Sequence, residues 1–449
     1  MLPLVAGMLA TGWISTPEVS ARTGLEGLGD PVLDSLIEQG LDRNYDVGMA
    51  VRRINIARNN MYSARAGYFP AIGISAGWSR DRISGATVSG SHPTVESSFT
   101  AGANISWEPD LFGKITAGVK QKKAEMRVSA ADFAATRVSV ASEIASAYVN
   151  LRVAQAQKEL ARRHSERQLK VVHITEARHE TGLASMLDVS QAQTVYYTTT
   201  SSIPLLETSI RTAENSLGVL LASDNTVVGD ARKPLYVQPP EYSDSLPLGL
   251  LSYRALIPGE LPLELIDRRP DVVAAKANID AAAAALGIAR KEYLPSLTIT
   301  GSVGTQAHRA GDLFTGDSFT YSVAPMLSWT LFDGLARRYN AAAAKEQMQI
   351  EVDNYNLTLI TAVEEVDNAI IRYRNILKNI EGLEQVVYWS SREESLSLDL
   401  YKQGLTAFSN VVDAQLNLLE SQNSLISAQG DALLALVDLY KALGGGWQE

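Results

Sequence analysis

The sequence predicts a mainly α-helical chain with a membrane β component: four strands per copy of a twelve-stranded β-barrel shared by three copies, continued by a barrel of long α-helices. Three observations predict it. The 449-residue chain repeats itself, its long helical segments keep a heptad period over lengths no compact core requires, and its strand segments have the length and alternation of membrane strands.

The repeat organises everything else. Tyr68-Phe69-Pro70-Ala71-Ile72 returns 225 residues later as Tyr293-Leu294-Pro295-Ser296-Leu297. Trp107 with Phe112-Gly113 returns 222 residues later as Trp329 with Phe332-Asp333-Gly334, and Thr181-Gly182-Leu183-Ala184 returns as Gln403-Gly404-Leu405-Thr406. Val189-Ser190-Gln191-Ala192-Gln193 is matched in the same way by Val411-Val412-Asp413-Ala414-Gln415. Each half reads helix, two strands, very long helix, short turn, long helix. The expected organisation is an N-terminal segment 1–29, a first repeat 30–222 with membrane strands within 71–107, an irregular linker 223–269 rich in proline, and a second repeat 270–449 with membrane strands within 296–331.

The helices carry heptad seams. Leu359, Val363, Val366, Ile370, Tyr373, Leu377, Ile380, Glu384 and Val387 alternate steps of four and three, as do Val412, Leu416, Leu419, Asn423, Ile426, Gly430, Leu433, Val437 and Tyr440. In the first half Val140, Ile144, Ala147, Leu151 and Ala154 do the same. A helix from about Leu335 to Tyr401 would be ~100 Å long, which suits a rod or a tube of helices.

The strand segments Ala71–Arg80, Ser97–Trp107, Ser296–Gln306 and Ser318–Trp329 alternate apolar with small or polar residues, at a length a tilted membrane strand needs. Trp78, Phe99, Trp107, Phe112, Phe319, Trp329 and Phe332 cluster near strand ends, as the aromatic girdles of membrane barrels do. A soluble pair of hairpins packed on helices is the alternative, but these strands lack its Val/Ile-rich core face. The connections Arg80–Ser97 and Ala307–Asp317 are expected to be the outer loops. Four strands cannot close a barrel, and lipid does not tolerate open sheet edges, so copies must share one. Three copies give twelve strands; edge closure alone leaves two or four open.

Composition limits the remaining possibilities. Forty Lys and Arg against fifty Asp and Glu leave a net charge of -10, which repels phosphate backbones and argues against nucleic acid as a partner. No cysteine is present, so disulfides and thiolate metal sites are excluded. Met1–Ile14 is apolar like an export signal, though too short to span as a helix and without a basic start; a processed or truncated export segment is expected, with an ordinary mature N-terminus as the alternative. No other stretch is expected to form a transmembrane helix. His164, His173 and His179 share one helix without metal-ligand spacing, and no nucleophile–base set is visible, so neither enzyme activity, a cofactor nor a dedicated metal site is expected. Gly444-Gly445-Gly446 comes after a helix and reads as its cap, and Arg268-Arg269-Pro270-Asp271 reads as a helix start with local ion pairing.

On these residues the chain resembles the TolC-like family of outer-membrane efflux channels, closest to the OprM-type branch. The likeness runs from about Asp30 to Trp447 and is most specific at Leu261–Val272 (LPLELIDRRPDV), Asp110-Leu111-Phe112-Gly113, Tyr293–Leu297 and the ending Leu439–Trp447. It implies a homotrimeric duct in the bacterial outer membrane that reaches into the periplasm. Such a duct passively conducts drugs or other toxic compounds received from a periplasmic adaptor (membrane fusion) protein and an inner-membrane efflux transporter. A related duct for protein secretion or metal-ion export shares the fold and is the alternative. The branch usually carries a lipidated N-terminal cysteine, which this chain lacks.

The turns after Gly182 and Gly404 interrupt the longest helices and are expected to form a periplasmic constriction. Asp188 and Asp413 are assigned to these turns, either as gate residues or as helix caps. The resemblance matches Asp413 to one of an acidic pair at the family's entrance, with Asn410 in place of the other, so that only a weak cation site is expected at Asp413. It also matches Tyr401 and Asp188 to partners in an inter-helix gate contact. The arginine that joins them elsewhere in the family corresponds to Thr406, or to Leu416 in the OprM-type pattern, so fewer polar ties are expected here.

Overall fold

The computed structural model describes residues 28–83, 94–223 and 264–445, with Gln238 and Leu248 as isolated positions. The N-terminal segment as far as 27, most of the linker, the head of the first predicted outer loop, Leu261–Leu263 and Trp447 lie outside the described residues.

The element order displays the repeat directly. Helix α1 is Pro31–Arg43 and α2 is Tyr45–Ala66; strands β1 (Ala71–Ile83) and β2 (Thr94–Trp107) lead to α3 (Lys114–Glu180) and α4 (Met186–Leu220). A short α5 (Glu264–Asp267) precedes α6 (Pro270–Lys291), β3 (Ser296–Ala307), β4 (Phe319–Ser328), α7 (Ala336–Lys402) and α8 (Phe408–Ala442). Helices α3 and α7 have 67 residues each, and α4 and α8 have 35 each. Their ends correspond at an offset of 222, whereas α2 and α6 correspond at 225. The three-residue difference falls within the hairpin: Ala71 pairs with Ser106 and Ser296 with Ser328, so the second hairpin is three residues shorter.

The chain divides into two compact units that cut across the two halves. One comprises residues 45–137 and 266–363 and holds the sheet. Its four strands are antiparallel in the order β1-β2-β3-β4. Because side chains alternate along a strand, the register defines two faces. One face carries Ile72, Ile74 and Trp78 of β1, Phe99, Ala103 and Ile105 of β2, Leu297, Ile299 and Val303 of β3, and Phe319, Tyr321, Val323 and Leu327 of β4. The other carries Gly73, Ser75, Gly77, Ser98, Thr100, Gly102, Asn104, Thr298, Thr300, Ser302, Gly304 and Ser322. The apolar face is uncovered: Ile74 is 89% exposed, Tyr321 76%, Val323 72% and Leu327 65%. A sheet in water would bury such a face.

Each hairpin is closed at its base by the same bond. Trp107 Nε1 donates to the Tyr68 carbonyl at 3.0 Å, and Trp329 Nε1 donates to the Tyr293 carbonyl at 3.0 Å. Asp110 starts α3 by accepting from the Ile115 and Thr116 amides at 2.9 and 2.8 Å. Burial pushes this carboxyl up, but the bonds from Thr116 and Ile115 outweigh it and hold the group below its ordinary range. At the start of α6, Pro270 is in the first turn and Arg269 pairs with Asp271 at 2.7 Å.

Two expectations about this unit need correction. Strands β1 and β2 reach Ile83 and start at Thr94, three residues further into the predicted loop on each side than their alternation suggests. Arg80, Asp81, Arg82 and Glu96 pair regularly there despite their charge, because backbone pairing does not depend on side-chain polarity. Helix α6 is also long and apolar enough by composition to cross a membrane, contrary to the expectation that no such helix exists beyond the N-terminal segment. Its apolarity comes largely from alanine, and its repeat counterpart α2 carries Arg52, Arg53 and Arg58 in the same structural position, so the position does not call for a membrane helix.

The other unit comprises the described parts of 1–44, 138–265 and 364–449 and is helical. Val140, Ile144, Leu151 and Ala154 are buried as their seam predicts, and so are Val366, Tyr373 and Ile380 on α7. Val363, which the seam places inside, is 47% exposed. On α8 the buried seam lies one residue from the predicted one over its first half: Val411, Gln415, Leu418, Gln422, Leu425, Gln429 and Ala432 face inward or partly so, while Leu416 is exposed. Three glutamines recur there every seven residues, and a search for aliphatic residues passes over them. Some of the polar groups are matched across helices: His164 Nε2 lies 2.6 Å from Gln422 Oε1, and Gln157 donates to Ser427 at 3.1 Å. Asp30 caps α1 through Val32 N at 2.9 Å and accepts from the buried Tyr148 hydroxyl at 2.6 Å, beside Arg152. Gly444 takes φ +76° and ends α8, as the glycine run predicts.

Gly102 and Gly304 pair across β2 and β3 so closely that a Cβ on Gly102 would stand 2.7 Å from the Val303 oxygen, whereas a Cβ on Gly73 meets nothing within 4 Å. Gly102→Ala is therefore expected to lower the unfolding midpoint of the sheet measured by β-sheet circular dichroism, and Gly73→Ala to leave it unchanged.

Candidate functional site

The turns that join α3 to α4 and α7 to α8 share one hydrogen-bond pattern. Leu183 N donates to Arg178 O at 2.8 Å and Gly182 N to His179 O at 2.9 Å; Leu405 N donates to Leu400 O at 2.9 Å and Gly404 N to Tyr401 O at 2.9 Å. Gly182 at φ +72° and Gly404 at φ +75° supply the left-handed residue that this helix ending requires. The chain reverses in a few residues, so the last turn of each long helix lies beside the first turn of the next.

The two turns hand over to the next helix differently. Ser185 and Asp188 form a reciprocal capping box at the start of α4. Their repeat counterparts are Ala407 and Asn410, and the start of α8 has no side-chain cap; Asn410 instead donates to the Thr406 hydroxyl at 2.7 Å. Asp188 is in the first turn of α4 and Asp413 in the second turn of α8, so both stand on helices and not in the connecting turns where the sequence alone places them.

Tyr401, in the last turn of α7, is 5% exposed and packs with Val171, Val172, Ala192, Phe408 and Val411. Its hydroxyl donates to Asp188 Oδ2 at 3.5 Å, the outer limit of a hydrogen bond. Asp188 thus caps α4 and holds the end of α7. Burial, and after it the Asp188 charge, push the Tyr401 hydroxyl above its ordinary value while Arg178 pulls it back, so the group stays protonated and able to donate. The structure brings Tyr401 to Asp188 and Thr406 to Asn410. Asp413 joins neither pair and is exposed.

Arg178 is a member of this site that sequence reasoning does not find. Its guanidinium stands 5.0 Å from the centre of the Tyr401 ring, and its Nη1 donates to the Lys402 carbonyl at 2.9 Å, tying the end of α7 to the end of α3. It supplies a basic tie where the resemblance, by pointing at Thr406 and Leu416, predicts none. One signal is present: Arg178 corresponds in the repeat to Leu400, a difference between the halves beside the predicted gate tyrosine. Among the described residues no group of three or more His, Asp or Glu could hold a metal ion.

A family model described as outer membrane efflux protein matches residues 36–223 and 261–445. The chain belongs to that family. Among outer membrane efflux proteins it is 28% identical over 421 residues to the probable efflux pump outer membrane protein TtgC of Pseudomonas putida, covering 94% of this chain and 84% of that protein. It is 28% identical over 443 residues to the pyoverdine export outer membrane protein OpmQ of Pseudomonas aeruginosa, covering 95% and 88%. Its fold matches the solved outer-membrane channel OprN with a TM-score of 0.85 at 26% identity, covering 95% of this chain and 93% of that one. The protein is an outer-membrane efflux duct, with the strands and long helices of the TolC-like channels.

Arg178→Ala removes a carbonyl bond of ordinary length together with a cation–π contact of about 0.5–1 kcal/mol, whereas Tyr401→Phe removes one long hydrogen bond. Arg178→Ala is expected to speed amide hydrogen exchange over residues 398–412 more than Tyr401→Phe does. The reverse order would make Tyr401–Asp188 the stronger tie.

Proposed function

We propose that three copies of the chain form one passive duct, which receives drugs or other toxic compounds from an inner-membrane efflux transporter through a periplasmic adaptor protein. The observation that carries this is the sheet: four strands, one exposed apolar face, one face of small and polar residues, and two edge strands, β1 and β4, without a neighbour among the described residues. In lipid the edges must be paired, and three copies make a twelve-stranded barrel with the apolar faces outward and the Gly, Ser and Thr faces lining the lumen. Trp78, Phe99 and Phe319 then mark the outer rim of the lipid band, and Trp107, Phe112, Trp329 and Phe332 the inner one. Membership in a family whose relatives are named as efflux pump outer membrane proteins supports the adaptor and the transporter as partners.

A 67-residue helix rises about 100 Å, several times the apolar thickness of a bilayer. The helices therefore continue into the periplasm, and their turns form its narrow, closed end. In the trimer Asp188, Tyr401 and Arg178 tie neighbouring helix ends within each copy, Thr406 and Asn410 brace the second turn, and three copies of Asp413 face the constriction. Asn410 stands in place of the second acid of the pair that the resemblance matches to Asp413, so the ring has three carboxylates instead of six, a weak cation site.

Planar-bilayer recording tests this end of the duct. Asp413→Ala is expected to raise conductance and weaken divalent-cation block about tenfold, equivalent to about 1.4 kcal/mol shared by three carboxylates. Unchanged conductance and block would place the constriction elsewhere.

A further inference from the structure

At the loop end of the sheet the charges are sorted by face. Arg80 and Arg82, two residues apart on β1, share the apolar face with Trp78, and their cross-strand partners are Ser97 and Val95. The acids Asp81 and Glu96 pair with each other on the opposite face. Both arginines are exposed, and among the described residues neither has a hydrogen-bond or ion-pair partner. No carboxylate stands on the arginines' face along β1, β2, β3 or β4 within the described residues.

Their depth is informative. A tilted strand crosses the apolar core in about 9–11 residues, and β1 starts at Ala71, so Arg80 reaches the far boundary and Arg82 lies just past it. Trp78 and Phe99, with ring centres 6.3 Å apart, mark that boundary from below. A lipid-facing arginine at the midplane costs about 2–4 kcal/mol, falling to about 0–1 near the interface, so these two sit where charge is tolerated and where headgroups lie. The repeat counterparts of Arg80 and Arg82 are Thr305 and Ala307. A requirement of the hairpin itself would recur in the second half; this one does not, and the described residues of each chain hold one such pair.

We propose that Arg80 and Arg82 form a lipid-facing binding site for the phosphate groups of an outer-leaflet phosphorylated glycolipid, one per chain. The inference rests on the proposed orientation, with the hairpin loops outward. Guanidinium forks bind phosphate through paired charge-assisted hydrogen bonds, and two forks on one face fit a headgroup with more than one phosphate. The acyl chains of the same lipid, confined to the outer half of the strand, lie against Trp78 and Phe99 below. A free phosphate ion would gain only the contact with the guanidinium groups, whereas the lipid gains that and the apolar one.

The test titrates the full-length, detergent-solubilised protein, first checked for its three-chain mass, with fluorescent bis-phosphorylated lipid A and with its dephosphorylated form. Wild type is expected to bind the phosphorylated lipid about thirtyfold more tightly, on about 1 kcal/mol for each arginine near an anionic surface. Arg80→Gln with Arg82→Gln is expected to remove that preference, and 10 mM inorganic phosphate to leave the lipid bound. A wild-type preference under threefold, a preference retained in the double variant, or displacement by inorganic phosphate would each overturn the site. Comparing the two lipids on wild type decides the matter even if the variant fails to assemble. A wild-type sample without the three-chain mass counts against the proposed duct and not against the arginines.

Discussion

Backbone hydrogen bonding at the edges of the sheet is the constraint on which the rest depends. In water, β1 and β4 could leave their outer N–H and C=O groups to solvent. In lipid each unpaired group costs several kcal/mol, and an edge strand of ten or more residues leaves about half its backbone groups without a partner. The apolar face, with Ile74 and Val323 uncovered, requires lipid, and lipid in turn requires the edges to be paired. The described residues of a single chain offer no further strand, so in the proposed duct the edges pair with other copies of the chain. At the centre of the sheet Gly102 and Gly304 approach so closely that a Cβ on either would meet the partner strand's backbone.

The helices follow from that arrangement. With two hairpins per chain in the membrane, four chain ends emerge on the same side, and the repeat sends each hairpin into one 67-residue helix and one 35-residue helix. The two halves have the same lengths but not the same chemistry. The first half holds the capping box and Arg178 at its helix turn and Arg80 and Arg82 at the loop end of its hairpin; the second holds Tyr401, Asn410 and Asp413 at its helix turn. Differences between the halves therefore locate the specialised positions, since whatever both halves share serves the architecture.

Much of the fold is legible in the sequence because its signals are long and redundant. The paired landmarks and the heptad period place both ends of α7 to within a residue. The misses have physical causes. The predicted α8 seam is displaced because Gln415, Gln422 and Gln429 occupy inward heptad positions, and a buried glutamine looks like a surface residue until its partner is known. The ends of β1 and β2 are cut short because Arg80–Arg82 and Glu96 look like loop, although charges on the rim of a membrane strand cost little. At the helix turns, Asp188 and Tyr401 can be named from the resemblance, but Arg178 cannot. Its contacts with the Tyr401 ring and the Lys402 carbonyl join segments more than 220 residues apart, and no local pattern marks them.

Whether copies share one barrel is the question on which the duct depends. The most direct measurement is the protein mass of the detergent-solubilised particle by light scattering corrected for bound detergent, with β-sheet content followed in the same sample. The account predicts a particle of three times the 48.5 kDa chain that loses its sheet signal when it dissociates. A stable particle of one chain mass with its sheet intact would contradict it.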